Sequence, residues 1–541
     1  MRIDPIQLKP KQSLFHDYKY NFENVKDKFS YAPGDQEAWK NRWQFLQDQT
    51  YQRTNLSEVL KEMNERWGAP KSTLDNIERL KDENATVVIA GQQAGLLTGP
   101  LYTVHKIISV LQLAKKKEAE LGKPVLPVFW VAGEDHDFDE INHIMVNSHG
   151  KMKKMAISQE PDRKASVSDI KIDQKAGEEW LQQIFSEIDE TEYTGDFYQQ
   201  TLRLLEQSES YSDFFAKLVY LLFPDEGLVV MDAHRPEVRK LESAYFTSMI
   251  QQNAEIAHRV FSAIQLNAQD GYETVLDSEA EDAHLFYHHE GERVLLTREK
   301  DGSFRGKQNE VLLSEQELLE IAEHHPECLS NNVVSRPLMQ DFLFPVLAFI
   351  GGPGEINYWS VLKPGFEAVG LQMPPVLPRL SFTLVDRKSE QDLKHFHLEP
   401  QEAVQFGTGE KKMRWIASKS APPIPQLSAQ VKEEIERIHK PLREKSAELG
   451  PDLEGLADKN LHYIYQHVDY LEKRMAKTLE EKYEREVTQF NELDLLLHPA
   501  GGLQERMWSI LPWVNEQGTD VFQRLNQHLL TFDQDHYVVY V

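Results

Sequence analysis

One cysteine, Cys328, stands among 541 residues, so no disulfide can form within the chain. That suits a reducing compartment, and a cytoplasmic location is expected. No run of about 18 apolar residues occurs, so no membrane-spanning helix is expected. The opening MRIDPIQLKPKQSLFHDY lacks an apolar core of signal-peptide length. Basic residues are few: 60 Lys+Arg stand against 87 Asp+Glu, a net charge of −27. Nucleic-acid binding draws much of its affinity from cations that neutralise phosphates, so RNA and DNA are not expected partners. Anionic membrane surfaces are disfavoured for the same reason. No internal repeat or low-complexity tract is evident. What is present suffices for a large core, with 40% hydrophobic and 10% aromatic residues. One core rarely grows past about 300 residues, so two or three units are expected.

The segment before residue 86 reads as polar amphipathic helices, among them Gln36–Gln47 and 56–67. TVVIA at 86–90 is a β-branched run that stops at Gly91, and GQQAGLLTGP follows. Leu101, Val104, Ile108 and Leu111 then recur at helical spacing, with Pro100 at the expected first helical position. A second apolar run, 125–132, ends in GEDHDFDEI. Strand, glycine turn, helix and strand make a βαβ unit and hence a parallel sheet. Further strands are expected at 228–231, at 344–350, and at 375–385 with a break at Pro378. The stretch 284–306 reads as antiparallel strands joined by polar turns.

Leu427, Val431, Ile435, Ile438 and Leu442 form an apolar seam that Gly450-Pro451 breaks. Leu461, Ile464, Val468, Leu471, Met475 and Leu479 form a second, which fades through Tyr483 and Val487. Spacings of three and four flanked by Glu and Lys predict an antiparallel coiled-coil hairpin. The second helix, about 35 residues, would reach roughly 50 Å against a partner of about 22 residues. The unmatched apolar length needs another surface, and a homodimer is the simplest supply. The fold class expected is α/β. A parallel-sheet core spans 1–420 with connecting inserts at about 147–226 and 256–331. The coiled coil spans 421–495, and 496–541 packs back on the core.

Gln92, Gln93, Gly95 and Thr98 fall at the carboxyl edge, where open parallel sheets bind ligands. Glycines let backbone approach an anion, and the following helix offers free N–H groups. A glycine turn capped by Thr98 is the plainer alternative, though it does not need two glutamines. His105 and Lys106 are expected within the first two turns of that helix, with His105 either facing a nucleotide or packed. Glu134, Asp135, His136 and Asp137 crowd the end of the next strand. Such carboxylates repel one another unless a cation, a proton or an amine compensates. They point to gripping a substrate ammonium, holding Mg²⁺ or general-base catalysis. A solvated helix start is the alternative. DEINH at 139–143 resembles HExxH with Asp in the first place, and His136, Glu140 and His143 would meet on one helical face. Zinc ranks behind the other roles, and no structural metal is expected. Gly352, Gly354, Glu355, Asn357 and Tyr358 repeat the strand, glycine loop, helix design; a capped helix with core aromatics also fits them. Asp386, Arg506 and Trp508 form a candidate second ligand site, since an arginine can hold a phosphate and an aromatic can stack a base. Surface salt bridges explain them equally well. Cys328 has no evident activating partner and reads as a bystander thiol.

Together, GQQAGLLTGPLYTVHKI, PVFWVAGEDHDFDEINH, GGPGEINYW and the late coiled coil resemble the bacillithiol-biosynthesis cysteine-adding enzymes, over essentially the whole chain. The resemblance implies a Rossmann-like core with connecting inserts and a dimerising coiled coil. It also implies a carbon–nitrogen ligase that adds L-cysteine to glucosaminyl malate in the last step of bacillithiol biosynthesis. Amide formation needs an activated carboxylate and a neutral amine, so ATP or another nucleotide, with Mg²⁺, is the expected energy source. One rival is a class I aminoacyl-tRNA-synthetase-like ligase or nucleotidyltransferase with another substrate. Such enzymes commonly present a basic surface to RNA, which −27 argues against. The other rival, a non-catalytic coiled-coil scaffold, leaves the glycine loops and the acid cluster unexplained.

Overall fold

The β-branched runs of the first half become a parallel sheet. In the computed structural model, which describes residues 1–9, 11–161, 165–273 and 276–541, β1 (Thr86–Gln92) is followed by α1 (Tyr102–Leu121) and β2 (Val125–Val131). β1 and β2 pair without a slip, from Thr86 opposite Val125 to Gln92 opposite Val131. α1 buries Val104, Ile107, Ile108 and Val110. Every residue of β2 is buried, as a strand covered on both faces requires. β3 (Val229–Asp232) lies beside β2 and precedes α2 (Pro236–Gln251).

The insert that follows is antiparallel. β4 (Asp282–His289), β5 (Glu292–Arg298), β6 (Phe304–Gly306), β7 (Leu312–Leu313) and β8 (Leu329–Asn331) form a sheet in the order β7-β6-β5-β4-β8. The chain then returns to the parallel sheet with β9 (Val346–Gly351), α3 (Pro353–Trp359) and β10 (Val376–Pro378). The parallel order is β10-β9-β1-β2-β3. Parallel strands end at a common edge, so Gln92, Val131, Asp232, Gly351 and Pro378 gather there, where ligands of open sheets bind.

The chain forms two units. The first is Met1–Ser148, Met152–Phe382 and Glu505–Val539; the second is His149–Lys151, Thr383–Gln504 and Tyr540–Val541. In the second unit α4 (Ile424–Leu449, 26 residues) and α5 (Pro451–Lys482, 32 residues) pack along each other. Lys432 meets Asp469, Tyr465 donates to Glu436 at 2.7 Å, His439 meets Asn460 at 2.9 Å and Arg443 meets Asp458 at 3.6 Å. Partner numbers fall along α5 as they rise along α4. Ile438, Leu442 and Leu471 of the seams stay 58% exposed or more, and Leu427, Val431 and Met475 stay 39% exposed or more, so this pair alone leaves much of the seam uncovered.

Several expectations need correction. The helix after GQQAGLLTGP starts at Tyr102, because Leu97 (φ 45°) and Thr98 (φ 66°) are left-handed and carry the chain through one more turn. The run 375–385 is two strands, Val376–Pro378 and Phe382–Val385, in different sheets. The late seam breaks at Tyr483, and α6 (Glu484–Leu497) follows as a separate helix. The segment before residue 86 also holds a strand, Arg2–Ile6.

Candidate active site

The loop after β1 is built from the inside. A Cβ on Gly95 would stand 2.9 Å from the Cα of Gly99, so only glycine lets the turn fold back on itself. Gly95 and Thr98 are buried in that turn, and Thr98 makes no cap. Their place there is steric. Gln92 and Gln93 reach the edge. Lys106, buried on α1, points back and donates to the Gly91 carbonyl at 2.8 Å and Gln92 Oε1 at 2.9 Å. Its ammonium also pairs with Glu355 at 2.5 Å. Burial pushes the Lys106 pKa down, and Glu355 offsets part of that. Glu355 accepts in turn from the Gly352 N–H at 2.9 Å, so its side chain reaches back over the start of α3. Tyr358 accepts from Arg336 at 2.9 Å, and its burial raises the phenol to about 12. Gly354 lies within the first turn of α3, and Asn357 donates to the Glu273 carbonyl at 3.0 Å.

His105 is fully buried. Its Nδ1 lies 2.7 Å from Glu505 and its ring meets Phe382 edge-on. Glu505 also takes two bonds from Arg379, both 2.6 Å. His105 therefore belongs to an internal ionic group and does not face the edge itself. Arg379, directly after β10, belongs to the same group, and its side chain is 8% exposed.

The loop after β2 carries the acids. A Cβ on Gly133 would stand 2.0 Å from Ser168 Oγ and 2.2 Å from Asp232 Oδ1, so glycine lets the loop pass the end of β3. Glu134 is 3% exposed and pairs with Arg239, which also holds Glu242. The N–H of Asn331 donates to Glu134 at 3.3 Å. Burial works against ionisation of Glu134, yet Arg239 and Arg293 hold its carboxyl below the usual range. Asp135 accepts from the His136 N–H at 2.7 Å and from Gln93 at 2.8 Å, so Gln93 joins the two loops; Gln93 also donates to Glu140. Asp137 is exposed. The helix after it is only Phe138–Ile141, and His143 begins a strand. His136, Glu140 and His143 therefore do not share a helical face, because the segment turns to strand after one turn. Among the described residues no group of three His, Cys, Asp or Glu stands where it could hold a metal ion.

His136, Asp137 and Asp139 form one wall of a cleft of about 1250 Å³, whose other wall is the insert, with Phe286, Arg293 and Lys307. The edge thus offers two environments. On one side Lys106 and Arg379 are compensated by Glu355 and Glu505, and Arg336 adds one further positive charge, which suits a carboxylate or phosphate. The acids and His136 make the other side suited to an amine.

Elsewhere, Asp386 belongs to the second unit and caps the helix Arg387–His395, accepting from the Ser389 N–H at 2.8 Å. Arg506 is exposed and Trp508 is buried, both in the first unit, and the Trp508 carbonyl accepts from the Leu101 N–H at 2.8 Å. Cys328 is half-buried, and burial pushes its thiol up, away from the reactive thiolate. Sequence reasoning gave no role to Lys106 and missed Arg239, Arg293, Arg336, Arg379 and Glu505. Only Arg379 and Glu505 had a signal, as neighbours of the Pro378 break and of Arg506.

Comparison with known proteins covers the chain from end to end. Residues 1–380 match the model for the N-terminal Rossmann-like domain of bacillithiol biosynthesis BshC, and residues 382–541 match its C-terminal coiled-coil domain. A relative from Oceanobacillus iheyensis, named as a cysteine ligase BshC, is 40% identical over 100% of both chains. Relatives of the same name from Bacillus cytotoxicus and Geobacillus thermodenitrificans are 39% and 38% identical, again over 100% of both chains. A solved chain described as an arginyl tRNA synthetase from Campylobacter jejuni aligns at TM-score 0.22 and 11% identity, covering 84% of this chain and 99% of that one, which is too distant to carry an argument. Matched across both of its domains and along the full length of these relatives, the chain belongs to the bacillithiol-biosynthesis BshC family.

Proposed function

We propose that the chain is a carbon–nitrogen ligase that joins the carboxyl group of L-cysteine to the amine of glucosaminyl malate, the last step of bacillithiol biosynthesis. One observation carries the reading: a cationic environment and an acidic one meet at the same sheet edge, with Gln93 hydrogen-bonded to Asp135 between them. An amide needs both. The activated cysteine carboxyl is anionic at its phosphate and sits toward Arg336 and Arg379. The amine enters the cleft as an ammonium, is held by the acid wall and gives up a proton before attack. The C–N bond then forms as the bond from the carbonyl carbon to its phosphate leaving group breaks. ATP or another nucleotide supplies that leaving group when bound. The half-buried Arg336 suits its phosphates as a hydrogen-bonding cation, and Arg379, whose terminal nitrogens are held by Glu505, supports it by position. Mg²⁺ would be held chiefly by the phosphates. The names of the relatives support a cysteine ligase.

The test is incubation with cysteine, glucosaminyl malate, ATP and Mg²⁺, read by mass spectrometry. The expected product is the condensed amide, formed only when the nucleotide is present. Failure of a folded chain to make it with any nucleotide would overturn the substrate assignment. We also propose that the uncovered seam of α4 and α5 is met by a second copy. Sedimentation is expected to give a dimer at micromolar concentration, and a monomer there would overturn it.

A further inference from the structure

Arg293 lies on β5, in the insert, yet it reaches the acid loop. Its side chain is 6% exposed, and its guanidinium carbon lies 3.7 Å from the centre of the Phe286 ring. Nε donates to Ser330 Oγ at 3.1 Å, and one Nη donates to the Asn331 carbonyl at 2.6 Å. Those bonds and the ring fix its plane. The other Nη is thereby presented to the loop, 3.4 Å from His136 Nδ1 and 3.8 Å from Asp135 Oδ1. Asp135 Oδ1 also faces that imidazole nitrogen, but at 3.7 Å it is beyond hydrogen-bond reach, and a guanidinium has donors only, so the nitrogen accepts from the nearer Arg293. In the neutral ring the proton then sits on Nε2.

We propose that Arg293 is a positioning residue: it fixes the orientation and tautomer of His136 and the place of Asp135, and so couples the antiparallel insert to the reaction site. The inference rests on the reading of this loop as the place where the amine reacts. The loop is held from a second side by the same neighbour, since Asn331 accepts from Arg293 and its N–H donates to Glu134. Glu134 is held in turn by Arg239 of α2. A consequence follows for the chemistry. With Nδ1 engaged as acceptor, the other nitrogen of His136 is a donor, and the proton-accepting role falls to a carboxylate of the cleft wall.

The test compares Arg293→Ala and Arg293→Lys with the full-length wild type by two readouts. In Arg293→Ala, turnover of cysteine and glucosaminyl malate should fall roughly 10²-fold through misplacement of reacting groups. The KM for cysteine should stay within about twofold, because the lost interaction is made through the reacting groups. Millimolar guanidinium should restore part of the rate, and equal sodium chloride should not. Arg293→Lys keeps charge and stem but lacks the fork, so it should remain impaired even where the alanine variant folds poorly. The second readout needs no activity. Amide hydrogen exchange of peptides covering 133–141 should rise in both variants and fall again in Arg293→Ala when guanidinium is added, while peptides of α4 and α5 are unchanged. Wild-type turnover in Arg293→Ala, or a loss that guanidinium does not rescue with loop exchange unchanged, would overturn the role. A wild type that makes no product, with loop exchange responding as described, would instead overturn the functional reading and leave the coupling standing.

Discussion

Replacing Asp137 by Asn is expected to cut turnover by roughly 10²–10⁴-fold with little change in substrate affinity, the loss typical of a missing general base. The two acids of the loop differ in how they are held. Asp135 accepts from Gln93, from the His136 N–H and, at 3.4 Å, from the Asp137 N–H, so it ties the loop together. Asp137 stands at the start of the helix Phe138–Ile141 without capping it by a side-chain bond, and it lines the cleft where the amine would enter. Asn keeps the shape of Asp137 and removes the basic oxygen. Steady-state kinetics with the amine acceptor varied separate the two roles the residue can play. If it grips the ammonium instead, affinity should fall by about 1.5–3 kcal/mol, the worth of a charged hydrogen bond, with turnover less affected. A metal role would show as rescue by excess Mg²⁺ or Mn²⁺. Asp135→Asn should impair both parameters, since its amide oxygen can keep the backbone N–H groups but its NH2 would stand against the Gln93 amide donor. Wild-type rate and affinity in Asp137→Asn would remove that residue from the chemistry.

The sheet was legible because its strands are long, β-branched and buried on both faces, and because glycine punctuates their carboxyl ends. TVVIA and the run 125–132 announce β1 and β2 in this way, and the motif loops fall where the edge is. The acid loop could be located for the same reason, but the state of each acid could not. Glu134 and Asp135 are adjacent in sequence, yet one is buried against Arg239 from α2 and the other lies partly exposed beside Gln93. That difference is set by partners 105 and 42 residues away, which no local pattern encodes. The loop after β1 hides more than its pattern shows. Its glycines let Gly95 pass Gly99, because Leu96 and Leu97 turn inward and bury the loop. Arginines such as Arg293 and Arg336 carry no periodic or motif signal at all, since what distinguishes them is the loop they meet across the fold.

Glu505→Gln is expected to cost the first unit about 3–5 kcal/mol, the usual loss when one member of a buried ionic group is removed. The carboxylate is 2% exposed and receives both terminal nitrogens of Arg379 and the ring of His105. Burial alone would raise its pKa, but Arg379 and His105 hold it far below the usual range. The pH dependence follows from that direction. The unfolded chain takes up a proton at this group near the ordinary value of 4.5, whereas the folded chain resists until far lower pH. The stabilisation is therefore complete above the unfolded value and is lost progressively as pH falls below it. The gap between wild type and Glu505→Gln should be constant from pH 8 to about 6 and should narrow below about 4. Chemical denaturation at several pH values measures it as a shift in midpoint at unchanged slope. Gln can accept one bond from Arg379 but leaves the guanidinium uncompensated, so most of the loss should come from that stranded charge. The double replacement Arg379→Met with Glu505→Leu removes the charge with its partner and should recover much of the stability. Its activity should not recover with it, because Arg379 is one of the cations assigned to the leaving phosphate. A Glu505→Gln midpoint equal to wild type at neutral pH would mean that Arg379 finds another acceptor, and that His105 and Glu505 do not hold it in place.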